Sequence, residues 1–478
     1  MLLGSLMEKA QAGQFQLFNL LLESRGGLSL KEAQAQIGLS RSTLLKYQEA
    51  LADLFAQRTS QVSLRLEDEM LHLDLGLGRP AQSLYQLFLE GAIKYQILLY
   101  LLKHQHFGIQ QLALELLISE ATLNRHLAGL NQLLSEFDLK IQNGSLKGPE
   151  LQIRYFYLLL LDSVWTKEQL EGHCQHDFYE KEILLVEHLA RVSLNLHQRR
   201  LLQIWFYVTK KRLTVREREV AGLHNLLAPF QDNVFYQRVH QQTLRYYMRY
   251  AIETDESESM SLFAFLVSFF ILPSDMMEYT LGFGGPIVDK MTQSLRLLRQ
   301  LNLLGDYTSE HVTYQLGQIF GQSYFFKGYL LLSESSYVLE RLKLDMKEHL
   351  LVQQLGEQFL NPGLSGDQIL KLAWDLGQTL YYMVEEEAQG LRLGLDFFGN
   401  EMTRYRLTHA LQLSLEHNSL ISLEPYDEQK SYDLILSNKE VRTYPSGAAV
   451  YYLQGPFNVK DQEAIRAYLQ DLGVGQPY

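Results

Sequence analysis

Two groups of side chains in the first third of the chain have the chemistry that reads nucleic acid. Thr122, Asn124, Arg125 and His126 follow Ser119; Arg41, Ser42, Thr43 and Lys46 follow Ser40. Hydroxyl, amide, imidazole, guanidinium and ammonium groups supply the donors and acceptors that meet base edges and phosphates. Each group opens a stretch of helical periodicity, Leu123, Leu127, Leu130 and Leu134 in one case, Leu44, Tyr47, Leu51 and Phe55 in the other. That spacing predicts an amphipathic helix with its apolar stripe turned inward and the polar group outward at the first turn.

The neighbouring segments must hold these helices in place. Ile109 to Leu117 reads as a short helix, Ile118-Ser119 as a tight connection with Ser119 as cap, and Ala121 to Glu136 as a second helix. Together they make a helix-turn-helix, whose second helix lies in the major groove. Leu139 to Ile141 and Leu146 to Gly148 flank Asn143-Gly144, a pair that favours a type I′ hairpin. Such a hairpin is a wing, with Lys147 placed for phosphate. Upstream, Phe15 to Leu22 reads as a helix ended by Gly26-Gly27. Ser29 and Glu32 form a capping box for the next helix, Gly38 turns the chain, and Ser40 caps the helix bearing Arg41. In VSLRLEDEMLHLDL, apolar residues alternate on both arms, which predicts a second wing. The same residues also suit helical pairs that only pack on one another.

With 478 residues the chain is too long for one core. Hydrophobic residues make up 46% and charged residues 21%, a globular composition without a run long enough to span a bilayer. No export signal is apparent, so no membrane partner and a reducing cytoplasm are expected. Cys174, the single cysteine, excludes an internal disulfide and a Cys-based zinc cluster. His173, Cys174 and His176 lack a supporting ligand set for metal. No phosphate-cradling loop, nucleophile elbow or carboxylate motif appears, so neither enzyme activity nor a cofactor is expected. A net charge of −12 argues against a general polyanion binder. DNA contact must then be local and easily lost in salt, and dimerisation would strengthen it.

Gly76 to Pro80 reads as a linker and Ser83 to Lys103 as one helix. From Leu151 onward long aromatic-rich helices dominate. Glu253 to Met260 reads as a solvated acidic loop, Leu262 to Leu272 as a buried helix, and a second helical block runs from Val288 to about Glu387. Leu391 to Tyr478 alternates strands and helices, which predicts a small α/β domain with a mainly parallel sheet.

This order of parts resembles the Mga/AtxA family of virulence regulators of Gram-positive bacteria. The segments that carry the likeness are LSRSTLLKYQEAL (Leu39 to Leu51), LISEATLNRHLAGLNQLL (Leu117 to Leu134) and LKIQNGSLKGPELQIRYFYLLL after it. The resemblance implies a mainly α, multidomain chain. Its parts are a winged helix-turn-helix domain over 1–78, a second, Mga-like one over 79–165, helical-bundle PTS regulation domains over 166–283 and 284–388, and an enzyme IIB-like domain over 389–478. It implies transcription control of promoter DNA by a homodimer or larger oligomer, tuned by phospho-HPr or related PTS proteins through histidine phosphorylation. His197, beside Arg199 and Arg200 that would hold the phosphate, and His311, at a comparable helix start, match the first regulatory histidines.

Three departures stand out. Gln34 and Leu117 occupy positions where Ala and Gly are usual, which predicts a wider second turn. FLVSFFIL and AWDLGQTL lack the second histidines. The loop Asp396 to Asn400 lacks the nucleophilic cysteine of an enzyme IIB. An RNA antiterminator and a phosphotransferase component are the other readings. The helical pattern at Leu30 to Leu54 disfavours the first, and the missing cysteine disfavours the second.

Overall fold

Ser29 accepts from the backbone N–H of Glu32, whose carboxylate returns to the Ser29 N–H, and the helix so capped is the first of the pair that ends in Arg41–Arg58. The computed structural model describes residues 1–24, 27–59, 62–76, 82–173, 176–215, 217–252, 255–276, 284–300, 310–332, 352, 366–387, 391–415, 421–445, 449–453 and 459–471. The chain divides into two compact units, Met1–Leu301 with Tyr307–Thr379 and Asn302–Asp306 with Leu380–Tyr478.

The first unit opens with a winged helix. α1 (Lys9–Glu23), β1 (Leu28–Ser29), α2 (Leu30–Ile37) and α3 (Arg41–Arg58) precede the hairpin of β2 (Ser63–Glu67) and β3 (Met70–Asp74). The sheet order is β1-β3-β2, antiparallel throughout. Leu44, Leu51 and Phe55 of α3 are fully buried, as the periodicity predicts, with Phe18 of α1 against Phe55.

Ser83 to Lys103 is two helices rather than one, α4 (Gln82–Leu89) and α5 (Ile93–His104). The break falls at Gly91, where the Ala92 N–H closes a turn on Leu89. A second winged helix follows: α6 (Ile109–Glu115), α7 (Glu120–Leu134), β4 (Lys140–Gln142) and β5 (Ser145–Lys147). Asn143 and Gly144 both have positive φ, 51° and 69°, as a type I′ turn requires. The Phe107 N–H donates to the Gly144 carbonyl at 2.9 Å, and a Cβ on Gly144 would lie 2.0 Å from the Phe107 carbonyl oxygen. Only glycine fits there.

α8 (Glu150–Val164) is the centre of this unit. Tyr155, Phe156, Tyr157, Leu158, Leu160 and Leu161 are all buried, so apolar residues cover the whole circumference. A helix apolar all round belongs inside a core. The Tyr157 hydroxyl donates to Leu98 in α5, that of Tyr155 to Gly328, and the Gln152 amide to Phe325. Leu2 pairs with Leu331 as an isolated parallel bridge beside them. The unit continues with α9 (Lys167–His173), α10 (His176–Ala190), α11 (Leu196–Leu213), α12 (Ala221–Leu227), α13 (Val234–Arg249) and α14 (Ser257–Leu266), of which α11 packs on α8 and α14 meets it through Glu258 and Arg154. Later in the chain come α15 (Pro286–Gln300), α16 (Glu310–Phe325) and α17 (Gly366–Glu387), the last of which passes from the first unit into the second at Leu380.

Two expectations fail here. Within the stretch read as a solvated loop from Glu253 to Met260, α14 starts at Ser257, and Ser257, Glu258, Ser259 and Met260 are buried; Glu253 and Thr254 lie outside the described residues. The helix expected to Leu272 ends at Leu266, and Phe270 turns the chain with φ 55°. The first failure has an electrostatic cause. Glu258 meets Arg154 and Arg218, while Arg154 and Arg212 meet Glu150, so buried carboxylates and guanidinium groups neutralise one another. A buried charge is tolerated when paired in this way.

In the second unit β6 (Leu391–Asp396), β7 (Ile421–Pro425), β8 (Leu434–Ser437) and β9 (Val450–Tyr452) form a wholly parallel sheet of order β7-β6-β8-β9. α18 (Glu401–Leu415) and α19 (Val459–Asp471) accompany it, and Leu393, Leu407, Leu411, Leu434, Leu436 and Ile465 make the core. The parallel α/β reading of this segment agrees with the structure. Most of the Gly76–Pro80 linker, the Leu301–Tyr307 stretch and Cys174 lie outside the described residues.

Candidate nucleic-acid interface

The two candidate reading helices begin alike. Ser40 accepts from the Thr43 N–H at 3.2 Å, and Ser119 from the Thr122 N–H at 3.1 Å. In each helix the serine and threonine hydroxyls also meet, at 2.9 Å. Both threonines are therefore half-buried against their caps, and Ser42, though exposed, lies 3.0 Å from the Ser40 hydroxyl. What projects from the first turns is different. Lys46, Asn124 and Arg125 are exposed, and neither Lys46 nor Arg125 has an ion-pair partner among the described residues. Arg41 is exposed but pairs with Glu69 at the tip of the first wing.

His126 corrects the expected set. It is 6% exposed, not outward. Three residues from Leu123 and four from Leu130, it belongs to the apolar stripe rather than to the polar face. Its Nδ1 lies 3.4 Å from the carboxylate of Glu8, the residue that caps α1. Burial holds the imidazole below its ordinary pKa, and the Glu8 carboxylate only partly offsets this. Nearby, the Lys94 ammonium donates to the Ser5 carbonyl at 2.7 Å. α7 is thus seated on the start of α1 through its inner face.

The turn before α7 is not widened by Leu117. Leu117 adopts φ 55°, its N–H reaches Leu114, and the Ile118 N–H reaches Ala113 at 3.0 Å. That is a Schellman closure with leucine in the left-handed position where glycine is favoured. The first unit closes the same step with Gly38 at φ 74°.

The wings differ in charge. The first turns at Asp68 and Glu69, with Glu67 before them and Arg65 3.6 Å from Glu67. An acidic tip repels phosphate. The second places Lys140 directly opposite Lys147 on the same face. Lys147 is half-exposed and lies 4.0 Å from the exposed Glu217. Asn131 fixes this wing to α7, accepting from the Ile141 N–H at 2.5 Å and donating to its carbonyl at 3.0 Å. Lys140 was absent from the expected contacts. The hairpin centred on Asn143-Gly144 already sets its register and pairs it with Lys147.

The candidate regulatory histidines are both exposed and both second in their helices, His197 in α11 and His311 in α16. The arginines beside His197 are not waiting for an anion. Arg199 binds Glu180 and Glu187, and Arg200 binds Asp162 and the Trp165 carbonyl. His173 stacks on Trp165 at 4.6 Å, and among the described residues no group of three His, Cys, Asp or Glu could hold a metal. In the second unit, the loop that departs from an enzyme IIB is held by its own neighbours. Asp396 accepts from the Tyr444 hydroxyl at 2.8 Å and pairs with Arg442, and Asn438 brackets Phe398.

Two winged helices lie in one unit, each with polar residues exposed at the start of its second helix, an arrangement suited to binding DNA. Residues 78–161, from α4 to α8, match a known family, the Mga helix-turn-helix domain. The match points to a DNA-binding transcription regulator. No curated protein matches the chain. Among the described residues, no helix is long and apolar enough to cross a membrane.

Proposed function

We propose that the chain controls transcription by gripping double-stranded promoter DNA with α3 and α7 together. The observation that carries this is a pair of exposed cations, Lys46 and Arg125, on the opening turns of α3 and α7, neither with an ion-pair partner among the described residues. Asn124 and Arg125 suit base edges, while Lys46, Lys140 and Lys147 suit phosphate. Because the first wing is acidic, the second is the wing that meets phosphate.

In this reading residues 1–78 and 79–165 are the DNA-reading domains, 166–283 and 284–388 are PTS regulation domains, and 389–478 is an enzyme IIB-like assembly domain without catalysis. The protein works in the cytoplasm as an activator and as a homodimer or larger oligomer. Phospho-HPr or a related PTS protein modifies His197 and His311. Arg200 shares a helical face with His197, three residues away. A phosphate on His197 draws Arg200 from Asp162 and loosens the junction of α8 with α11. The helical winged units at the start favour DNA over the RNA reading.

The test is a gel-shift titration of promoter fragments with the full chain between 50 and 200 mM salt. Binding that falls steeply with salt, about one power per phosphate contact, supports the proposal. Affinity unchanged by the combined Lys46→Ala and Arg125→Ala substitutions refutes it.

A further inference from the structure

A cavity of about 440 Å³ lies between α1, the end of α2 and the strand-like segment at Leu332. That is the size of a small-molecule site. Phe15, Leu20, Ile37 and Leu332 supply apolar walls, and Gln16 and Gln36 stand at its polar rim. No charged side chain is among the described lining residues. Asn19 also lines it. Asn19 is 5% exposed, yet its amide has no hydrogen-bond partner among the described residues. Its amide is not among the buried polar atoms cut off from solvent, so it faces the cavity, where an occupant can meet its donor and acceptor. Ala12, Gln16 and Asn19 recur at three- and four-residue spacing, so one face of α1 presents the amide to the cavity.

We propose that this cavity binds a small uncharged molecule with an apolar body and a carboxamide- or hydroxyl-type head that pairs with Asn19. A charged ligand is disfavoured because no counter-charge is among the described lining residues and desolvation would go uncompensated. The site is separate from the DNA-contacting face. Ile37 is the last residue of α2 and Gly38 makes the turn into α3, so an occupant rests against that turn.

Saturation-transfer NMR on the full chain tests this with benzamide and benzyl alcohol as neutral probes and benzoate and benzylammonium as charged controls. The neutral probes should give signals and displace each other, and the charged ones should give none. Leu20→Trp and Ala12→Trp, each filling the cavity, should abolish the signals while circular dichroism shows the helices retained. Asn19→Leu should weaken benzamide binding about tenfold. Should both tryptophan variants unfold, Asn19→Leu decides. Absence of neutral-probe signal at millimolar concentration overturns the proposal. So do equal signals from the charged controls, undiminished binding in a folded tryptophan variant, or undiminished binding in Asn19→Leu.

Discussion

Arg154 donates through both terminal nitrogens to the two carboxylate oxygens of Glu258, each 2.8 Å away across 104 residues of sequence. Both side chains are 1% exposed. Burial works to raise the Glu258 carboxyl, but Arg154 and Arg218 overcome it and hold the group below its ordinary value. Arg154 belongs to the segment that matches the Mga domain, and Glu258 lies well beyond it.

Glu258→Ala should therefore destabilise the first unit by about 3–5 kcal/mol, because it leaves Glu150 as the one buried carboxylate facing Arg154 and Arg212. Urea unfolding followed by tyrosine fluorescence measures it. The sign with pH follows from a lowered carboxyl: the contribution is present above the ordinary carboxylate range and is lost as pH falls through the folded value. A loss under 1 kcal/mol would mean that the guanidinium groups find other partners.

Arg125→Ala should weaken promoter binding without moving the thermal midpoint, since the side chain is exposed and has no described ion-pair partner. A bidentate base contact predicts about 1–3 kcal/mol confined to the cognate sequence. A phosphate contact predicts a uniform loss and a salt slope shallower by about 1. Lys46→Ala should show the second pattern. Loss of folding in Arg125→Ala would instead assign that residue to the scaffold.

Glu69→Gln should tighten DNA binding, because it frees Arg41 and removes a negative charge from the first wing. Exposed ion pairs contribute little to stability, so the melting curve should stay in place. Weaker binding would show that the Arg41–Glu69 pair orients α3.

His126 predicts a pH effect of definite sign. Its folded pKa lies below the ordinary 6.5 because burial disfavours the charged ring. The stabilisation is complete above about pH 6.5 and is lost as pH falls toward the folded value, where the unfolded chain binds the proton first. Thermal midpoints of the full chain should drop between pH 7.5 and pH 5.5, and by less in His126→Gln. An equal drop in both would place the sensitivity elsewhere, for example at His173, which burial also lowers.

Leu117→Gly should raise stability by up to about 1 kcal/mol, because a left-handed leucine costs about 1–2 kcal/mol and glycine returns part of that as chain entropy. Calorimetry of the two proteins decides it.

Local signals in the sequence carried both winged helices. Ser29 with Glu32, Ser40, Ser119 and Asn143-Gly144 all act within a few residues, and each does in three dimensions what its type predicts. The parallel tail sheet was legible for the same reason. The acidic stretch before Met260 was not. Its burial depends on Arg154 and Arg218, and nothing within the stretch announces partners 104 and 40 residues away. His126 was misplaced for a different reason. Its position on the apolar stripe was readable from its spacing to Leu123 and Leu130, but its polar chemistry outweighed the geometry. The arginines beside His197 looked available only because Glu180, Glu187 and Asp162 are distant in sequence.

The burial of α8 has a practical corollary for anyone wishing to isolate the DNA-reading portion. Cutting the chain after Val164 would strip α11 and the Phe325–Gly328 segment from a helix that is buried over most of its surface. The excised fragment would present a greasy rod to solvent and precipitate, so shorter pieces should be recovered only when that helix is removed as well or its outer positions are rewritten with charge.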